Sequence, residues 1–121
     1  MTTQEVANRL VELCRTGQYE TAMAELYGTN IKSVEPERAF YPTVEGLDAV
    51  IEKGKKWQEG VEEVHGGTVS DPLVAGPYFT IAMGMDITLK GMGRMQMEEI
   101  CVYKVEDGKI VYEEFLYPTQ G

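Results

Sequence analysis

The chain has 121 residues, the usual size of one domain, and residues 1–121 are expected to form a single fold. Apolar residues make up 43% and charged residues 26%, which is typical of globular proteins and excludes a disordered or fibrous chain. Eleven basic and twenty acidic residues give a net charge of −9, so binding to nucleic acids or to anionic membranes is disfavoured.

Two short helices are predicted at the start of the chain. Apolar residues recur at three- and four-residue steps over residues 6–14, which is a helical period. Gly17 supplies the left-handed conformation that commonly follows a helix end. A second helical period covers residues 19–27, and the Gly-Thr-Asn segment at residues 28–30 is expected to end it. The connection is so brief that the two helices are expected to pack as a hairpin.

A short strand and a third helix follow. Residues 31–35 are predicted to form a strand that Pro36 stops, and residues 37–45 are expected to be irregular. The third helix is predicted over residues 46–59, with Trp57 in its apolar stripe. Its other face, which carries Lys53, is interpreted as solvated surface.

Beyond residue 60 the apolar period changes from helical to alternating. In residues 79–89 the odd positions are all apolar and the even positions are small or polar, which indicates a strand with one buried face. The strands are predicted at residues 61–70, 79–89, 95–105 and 110–117. Helices followed by long strands predict an α+β fold, in which three helices pack on one face of a curved antiparallel sheet and leave a concavity.

Cysteine and histidine usage limits the chemistry further. Cys14 and Cys101 lie far apart and in no CxxC pair, unlike the dense cysteines of secreted disulfide scaffolds. Glu5 and Arg9 interrupt the apolar stretch that a signal peptide needs, and no apolar run approaches the length of a membrane span. A single histidine rules out a multi-histidine metal centre within one chain. We therefore expect a cytoplasmic protein with reduced thiols, no metal and no other cofactor.

Three runs of sequence carry a resemblance to a known family: LYGTNIKSVEP at residues 26–36, MEEICVYKVEDGKIV at residues 97–111 and EEFLYP at residues 113–118. With the order of the elements, they make the whole chain resemble the nuclear transport factor 2-like (NTF2-like) superfamily, and within it the SnoaL-like group. The resemblance implies a cystatin-like cone with an internal apolar pocket. It implies no single activity, because the superfamily includes isomerases, cyclases, dehydratases, hydrolases and members without known chemistry.

Glu35, directly before Pro36, is the first candidate catalytic residue. In ketosteroid isomerase-like proteins, which residues 26–36 resemble, a proton-shuttling carboxylate occupies this place, so the resemblance implies that Glu35 is a base. The isomerase tyrosine that stabilises the enolate corresponds to Leu10 in this sequence. True steroid isomerase activity is therefore not expected.

Glu99 is the second candidate, because strand alternation places it on the inward face among methionines and aromatic residues. An unpaired carboxylate there costs several kcal/mol. Glu99 is therefore either an acid or ligand-orienting group, or the partner in a fixed hydrogen bond to a helix or to Tyr103. Two carboxylates in one apolar pocket push their pKa values apart, which would leave Glu35 as the base and Glu99 as the protonated donor.

The other candidates surround these two carboxylates. His65 is either an assisting general base or a structural histidine with a satisfied hydrogen bond, and Tyr103 is expected to assist. The remaining inward-facing residues are predicted to bind a small apolar molecule: Trp57, Phe79, Ile81, Met83, Met85, Met97, Cys101 and Tyr103.

The outward face of the sheet carries small and apolar side chains. The resemblance implies that two copies of the chain form a homodimer through this face. Its residues are Thr80, Ala82, Gly84, Ile100 and Val102. Two functions stay open: an isomerase- or cyclase-type enzyme that uses general acid–base proton transfer, or a non-catalytic ligand-binding or dimerisation module. A carboxylate with a strongly raised pKa would favour the enzyme, and a Glu35 held in a salt bridge would favour the module.

Overall fold

The computed structural model describes residues 1–119. Helix α1 spans Thr3–Arg15 and begins with a capping box, in which the side chains of Thr2 and Glu5 each accept from the other residue's backbone amide. Gly17 follows with a φ of 71°, and backbone hydrogen bonds from residues 17 and 18 close the last turn. The predicted stop at Gly17 is therefore confirmed.

Helix α2 spans Tyr19–Leu26, and strand β1 follows at once over Tyr27–Val34. The sequence prediction is wrong here, because it placed residues 28–30 in a turn and began the strand at residue 31. The longer strand forms because Tyr27 already pairs with Ile110 near the end of the chain. Such tertiary pairing outweighs a weak local turn signal.

The segment between β1 and the third helix is mostly irregular. Residues 35–43 are irregular, as predicted for most of them, but Val44–Glu45 form a two-residue strand, β2, that pairs with β1. Helix α3 spans Leu47–Gly60, within one residue of its predicted bounds at each end.

Long strands make up the second half, as the alternation predicts. They are β3 at Val61–Val69, β4 at Leu73–Ala75, β5 at Tyr78–Leu89, β6 at Gly93–Glu106 and β7 at Lys109–Leu116. The three-residue strand β4 was not predicted, and it pairs with β5. Gly91 and Gly93 both have positive φ, which the tight turn between β5 and β6 requires.

The sheet is mixed and not antiparallel as predicted. Its strand order is β2-β1-β7-β6-β5-β3, with β4 beside β5. All neighbouring strands are antiparallel except β1 and β7, which run parallel. Alternation indicates which face of a strand is buried. It does not indicate which distant strand is the partner, or whether the two run parallel or antiparallel.

The hydrophobic core lies between the helices and the inner face of the sheet. Its fully buried members include Val6, Leu10, Leu13, Leu26, Ile31, Phe79, Ile81 and Ile110. Helix α3 contributes one fully buried side chain, Val50, and the rest of its inner face borders a cavity. Within residues 1–119, no helix combines the length and the apolar character needed to span a membrane.

Candidate functional site

A cavity of about 220 Å³ lies between α2, α3 and the inner face of the sheet. Its walls are mainly apolar, and they include Leu10, Met23, Val50, Trp57, Met83, Met85, Met97 and Phe115. At the irregular segment before β2, Phe40 is 84% exposed, and Tyr41 packs edge-on against Trp57 with ring centroids 6.1 Å apart. Pockets for drug-sized ligands occupy roughly 300–1,000 Å³, so this cavity suits a smaller molecule.

Glu99 lies in the apolar part of this cavity, on β6 and directly opposite Met83 of β5. In residues 1–119, its one side-chain hydrogen bond comes from the Cys101 thiol, whose Sγ lies 3.6 Å from Glu99 Oε1. Burial raises the pKa of Glu99 to about 7, and the carboxylates of Glu35 and Glu113 contribute to the increase. A carboxyl group with this pKa can both take and give a proton at neutral pH.

Glu35 follows β1 directly, and its carboxylate is held on both oxygens. Oε2 accepts a hydrogen bond from Lys53 Nζ at 2.9 Å, and Oε1 accepts one from the Tyr117 hydroxyl at 2.6 Å. The side chains of Glu35 and Lys53 are only 9% and 10% exposed. Burial, with the bond to Glu35, raises the pKa of Tyr117 well above its usual range. Glu35 is therefore a fixed partner in a buried salt bridge.

Lys53 connects this salt bridge to the rest of the polar end of the cavity. Its ammonium group also donates to Ser33 Oγ at 2.8 Å and to the Pro42 carbonyl at 3.3 Å, so all three of its N–H groups have acceptors. The nitrogen lies 5.8 Å from the centre of the Phe115 ring, within the range of a cation–π contact. All the hydrogen-bond donors of Lys53 are therefore used within the protein, and none is left for a ligand.

Glu113, on β7, is the most deeply buried carboxylate, with 2% exposure. It accepts hydrogen bonds from the Tyr27 hydroxyl and from Ser33 Oγ, the latter at 2.6 Å. Burial raises the pKa of Glu113, while these two bonds and Lys53 oppose the increase. The groups around Glu113 and Glu35 thus form one closed network across β1, α3 and β7, with its hydrogen bonds satisfied internally.

Comparisons with known proteins identify the family. The SnoaL-like domain model matches residues 1–117. A Mesorhizobium loti protein, provisionally described as a SnoaL-like polyketide cyclase (with carbohydrate phosphatase in the same description), is 36% identical to this chain. The two structures align with a TM-score of 0.91, over 97% of this chain and 100% of that one. The chain belongs to the SnoaL-like family.

More distant structures share the fold of this SnoaL-like chain. A Xanthomonas campestris protein of unknown function with a cystatin-like fold gives a TM-score of 0.82 at 19% identity, over 99% of this chain and 93% of that one. An NTF2-like protein of unknown function from Burkholderia pseudomallei gives 0.78 at 15% identity, over 98% and 92%. The predicted NTF2-like, cystatin-like α+β fold is confirmed. No curated protein matches the chain.

Five of the residues predicted to contact substrate line the cavity of this SnoaL-like protein: Trp57, Met83, Met85, Met97 and Tyr103. Three others lie in the core instead. Phe79 and Ile81 are 2% and 1% exposed, and Cys101 is fully buried. Phe79 stacks on the Tyr103 ring with centroids 4.7 Å apart. Alternation identified the inner face for the seven strand positions, and the helical period did so for Trp57. Neither pattern distinguishes the packed end of an element from the end that borders a cavity.

His65 lies outside the cavity, which corrects its predicted role as an assisting base. Its Nε2 is 2.7 Å from Thr88 Oγ1 and 3.5 Å from a carboxylate oxygen of Glu63. Thr88 occupies an even position of β5, on the face turned away from the helices. The interpretation of His65 as a structural histidine with a satisfied hydrogen bond fits this geometry.

Sequence reasoning missed the polar network of the SnoaL-like cavity. It assigned Lys53 to a solvated surface, yet Lys53 follows Val50 by three residues and precedes Trp57 by four, so the helical period places it on the inner face. Tyr117 and Glu113 were assigned no role from the sequence, in which they appear only as part of the run EEFLYP. Their partners come from β1 and α3, and spacing alone does not show that these elements meet β7.

The acidic residues of the site do not gather into a metal centre. Within residues 1–119, no group of three or more His, Cys, Asp or Glu side chains is arranged to hold a metal ion. Lys53 neutralises part of the carboxylate charge, and burial raises the pKa values of Glu99 and Glu113, so both shifts favour the uncharged carboxyl form in this small cavity.

Proposed function

We propose that this SnoaL-like protein binds a small, mostly neutral organic molecule in the cavity and that Glu99 transfers a proton to and from it. The observation that carries the proposal is the placement of Glu99: a carboxyl group in an apolar wall, with a pKa of about 7 and only a weak thiol contact. Perturbed carboxyl groups of this kind in a cleft are candidates for general acid–base catalysis.

The roles differ from those that the family resemblance implies. Glu35 has both carboxylate oxygens engaged by Lys53 and Tyr117, so it supports the polar end of the cavity and is not available as the base. Glu99 therefore takes the base role as well as the acid role. In this step, Glu99 accepts a proton from the carbon next to a carbonyl group. The electron pair of the C–H bond forms the enolate, and the same carboxyl group returns the proton to carbon or oxygen.

The test is exchange of carbon-bound hydrogen with solvent, followed in D₂O with cyclohexanone and 4′-methylacetophenone as probes. Both are small neutral ketones, and mass spectrometry or NMR measures deuterium at the carbon next to the carbonyl. We expect the protein to accelerate exchange and Glu99→Gln to abolish the acceleration. Glu106→Gln is the matched control, because Glu106 lies on the same strand at an exposed position outside the cavity. Equal exchange rates in the wild type and Glu99→Gln would refute the proposal.

A second candidate function rests on the salt bridge between Glu35 and Lys53. A network with every hydrogen bond satisfied internally is suited to hold a fixed pocket, as in a non-catalytic ligand-binding module. That function predicts that both ketones bind without any accelerated exchange. Binding measured by calorimetry, together with exchange measured in the same samples, separates the two functions.

We also propose that the protein is a homodimer through the outward face of its sheet. On that face Ile100 is 45% exposed and Leu116 is 46% exposed, and they pair across β6 and β7. Exposed apolar side chains grouped in this way mark protein–protein contact surfaces. A second copy of this chain is the partner that the family resemblance implies.

A further inference from the structure

A second, wider space lies beside the cavity, and we call it the groove. It has a volume of about 570 Å³ and runs between β3, the end of α1 and the last turns of α3. Residues 62–68 of β3 stay exposed. Val64 faces this groove: it pairs with the buried Ile87, yet it is itself 69% exposed. The groove is therefore an open, largely apolar surface.

The groove and the cavity share one wall. The residues that line both spaces are Cys14, Tyr19, Trp57, Gln58, Met83 and Met85. Methionine side chains are unbranched and adapt their shape to a neighbour, so a wall that contains two of them can yield to a ligand. Glu99 pairs with Met83 across the strands, which places the carboxyl group beside this wall.

The opposite end of the cavity is closed by the buried network. Glu113 is 2% exposed, and the N–H groups of Lys53 already have acceptors. A ligand whose polar group meets Glu99 therefore finds apolar space in the direction of Met83 and Met85, and it finds saturated polar groups in the direction of Lys53.

We propose that the cavity and the groove form one elongated site for a ligand with two parts. The head is a small carbonyl group at Glu99, and the tail is an uncharged alkyl or aromatic extension that crosses Met83 and Met85 and lies against Val64. The position of the head rests on the proposed function, whereas the path of the tail rests on the shared wall alone. The substrate class is thus an elongated, neutral ketone or its enol.

The test uses a series of 4′-alkylacetophenones, from methyl to octyl, as probes of increasing length, with Kd measured by calorimetry. A methylene that moves from water into the groove should tighten Kd about three- to fourfold. In the wild type, we expect Kd to tighten by this factor per methylene for the members of intermediate length, whose added methylenes enter the groove. Val64→Phe fills the groove, so it should weaken the long members at least tenfold and the methyl member less than twofold.

The matched control is Leu73→Phe, which introduces the same aromatic side chain at an exposed aliphatic strand residue outside the groove. It should leave the whole series unchanged. Thermal melts of both variants check that they fold. The proposal is overturned if wild-type Kd does not improve with length, if long members do not bind, or if Val64→Phe responds like the wild type. A further variant, Phe40→Ala, tests the other opening of the cavity, at the segment before β2. If Phe40→Ala, and not Val64→Phe, removes the tightening of Kd with chain length, the tail lies at that segment and the proposal is also overturned.

The two proposals fail in different ways. Deuterium exchange of the methyl member in Glu99→Gln reports only on proton transfer, whereas the response to chain length in Val64→Phe reports only on the path of the tail. Persistent exchange in Glu99→Gln with a normal Val64→Phe response would leave the elongated site standing and refute the acid–base function.

Discussion

Two glutamates of the same cavity illustrate how surroundings decide what a side chain can do. Glu35 has a lysine and a tyrosine on its two oxygens, so both oxygens are held by partners within the protein. Glu99 has methionines around it and a single weak thiol contact, so burial raises its pKa to about 7. Their residue type is identical, and the difference lies in the partners that the fold brings to each.

Glu99→Gln should change how stability depends on pH. The folded-state pKa of Glu99 is about 7 against an ordinary 4.5, so folding favours its protonated form and the wild type loses stability as the pH rises from 4.5 through 7. By pH 8 this costs the wild type up to about 3 kcal/mol. Glutamine does not titrate, so the variant should be more stable at pH 8 by up to that amount, with no such difference at pH 4. Denaturant melts across this range measure it, and parallel profiles for the two proteins would contradict the raised pKa.

Tyr27→Phe tests the deepest hydrogen bond of the network. It removes the donor to Glu113 without changing the packing of the ring, and it leaves a buried carboxylate oxygen without that partner. We expect a loss of about 1–3 kcal/mol in the free energy of unfolding. Tyr112→Phe is the control, because its hydroxyl donates to Glu114 on the same strand at a more exposed site. If the two variants lose the same free energy of unfolding, the buried hydrogen bond to Glu113 stabilises the fold no more than the exposed one to Glu114.

At the scale of elements, the salt bridge between Glu35 and Lys53 fastens α3 to the end of β1. Lys53→Met keeps much of the side-chain volume but leaves Glu35 as a buried charge without its cation. Breaking one partner of a buried pair costs about 3–5 kcal/mol. Lys56→Met, on the exposed face of the same helix, should stay within about 0.5 kcal/mol of the wild type.

The double variant of Lys53→Met with Glu35→Gln completes this experiment. Removing the unpaired charge should recover a large part of the lost stability, as measured by chemical denaturation. If the double variant is as unstable as Lys53→Met alone, the loss comes from packing around the lysine stem and not from the charge.

The elements also show where sequence reasoning succeeds. α1, α3 and the long strands follow from periodicity within one segment, and the Gly17 stop follows from backbone sterics. β1 and β2 were misjudged because their existence depends on pairing with distant residues, such as Tyr27 with Ile110. Local patterns contain no information about such partners.

At the scale of the whole molecule, the outward face of the sheet leads to a prediction about assembly. Light scattering at micromolar concentration should give about twice the 13.5 kDa mass of the chain. Ile100→Glu places a charge in the centre of the proposed interface and should give the monomer mass. Met92→Glu, at the exposed turn between β5 and β6, should remain dimeric. A wild-type monomer would contradict the proposed dimer.

The site was predictable only in part for the same reason as the fold. Alternation along β6 placed Glu99 among the methionines, and that inference needed one strand alone. The network of Lys53, Glu113 and Tyr117 joins three elements, and its geometry arises only when α3, β1 and β7 meet. Chemistry carried by one strand can therefore be predicted from its sequence pattern, whereas chemistry shared between distant elements needs the assembled fold.

The central claim is that Glu99 changes its charge near neutral pH, and titration of its side-chain carboxyl carbon by NMR tests that claim most directly. Glutamate labelled with ¹³C at the carboxyl position gives the signals, and Glu99→Gln identifies the one that belongs to Glu99. The account predicts a midpoint at a pKa of about 7, well above the ordinary 4.5. A midpoint close to 4.5 would contradict it, because Glu99 would then be a solvated carboxylate with no proton to exchange at neutral pH.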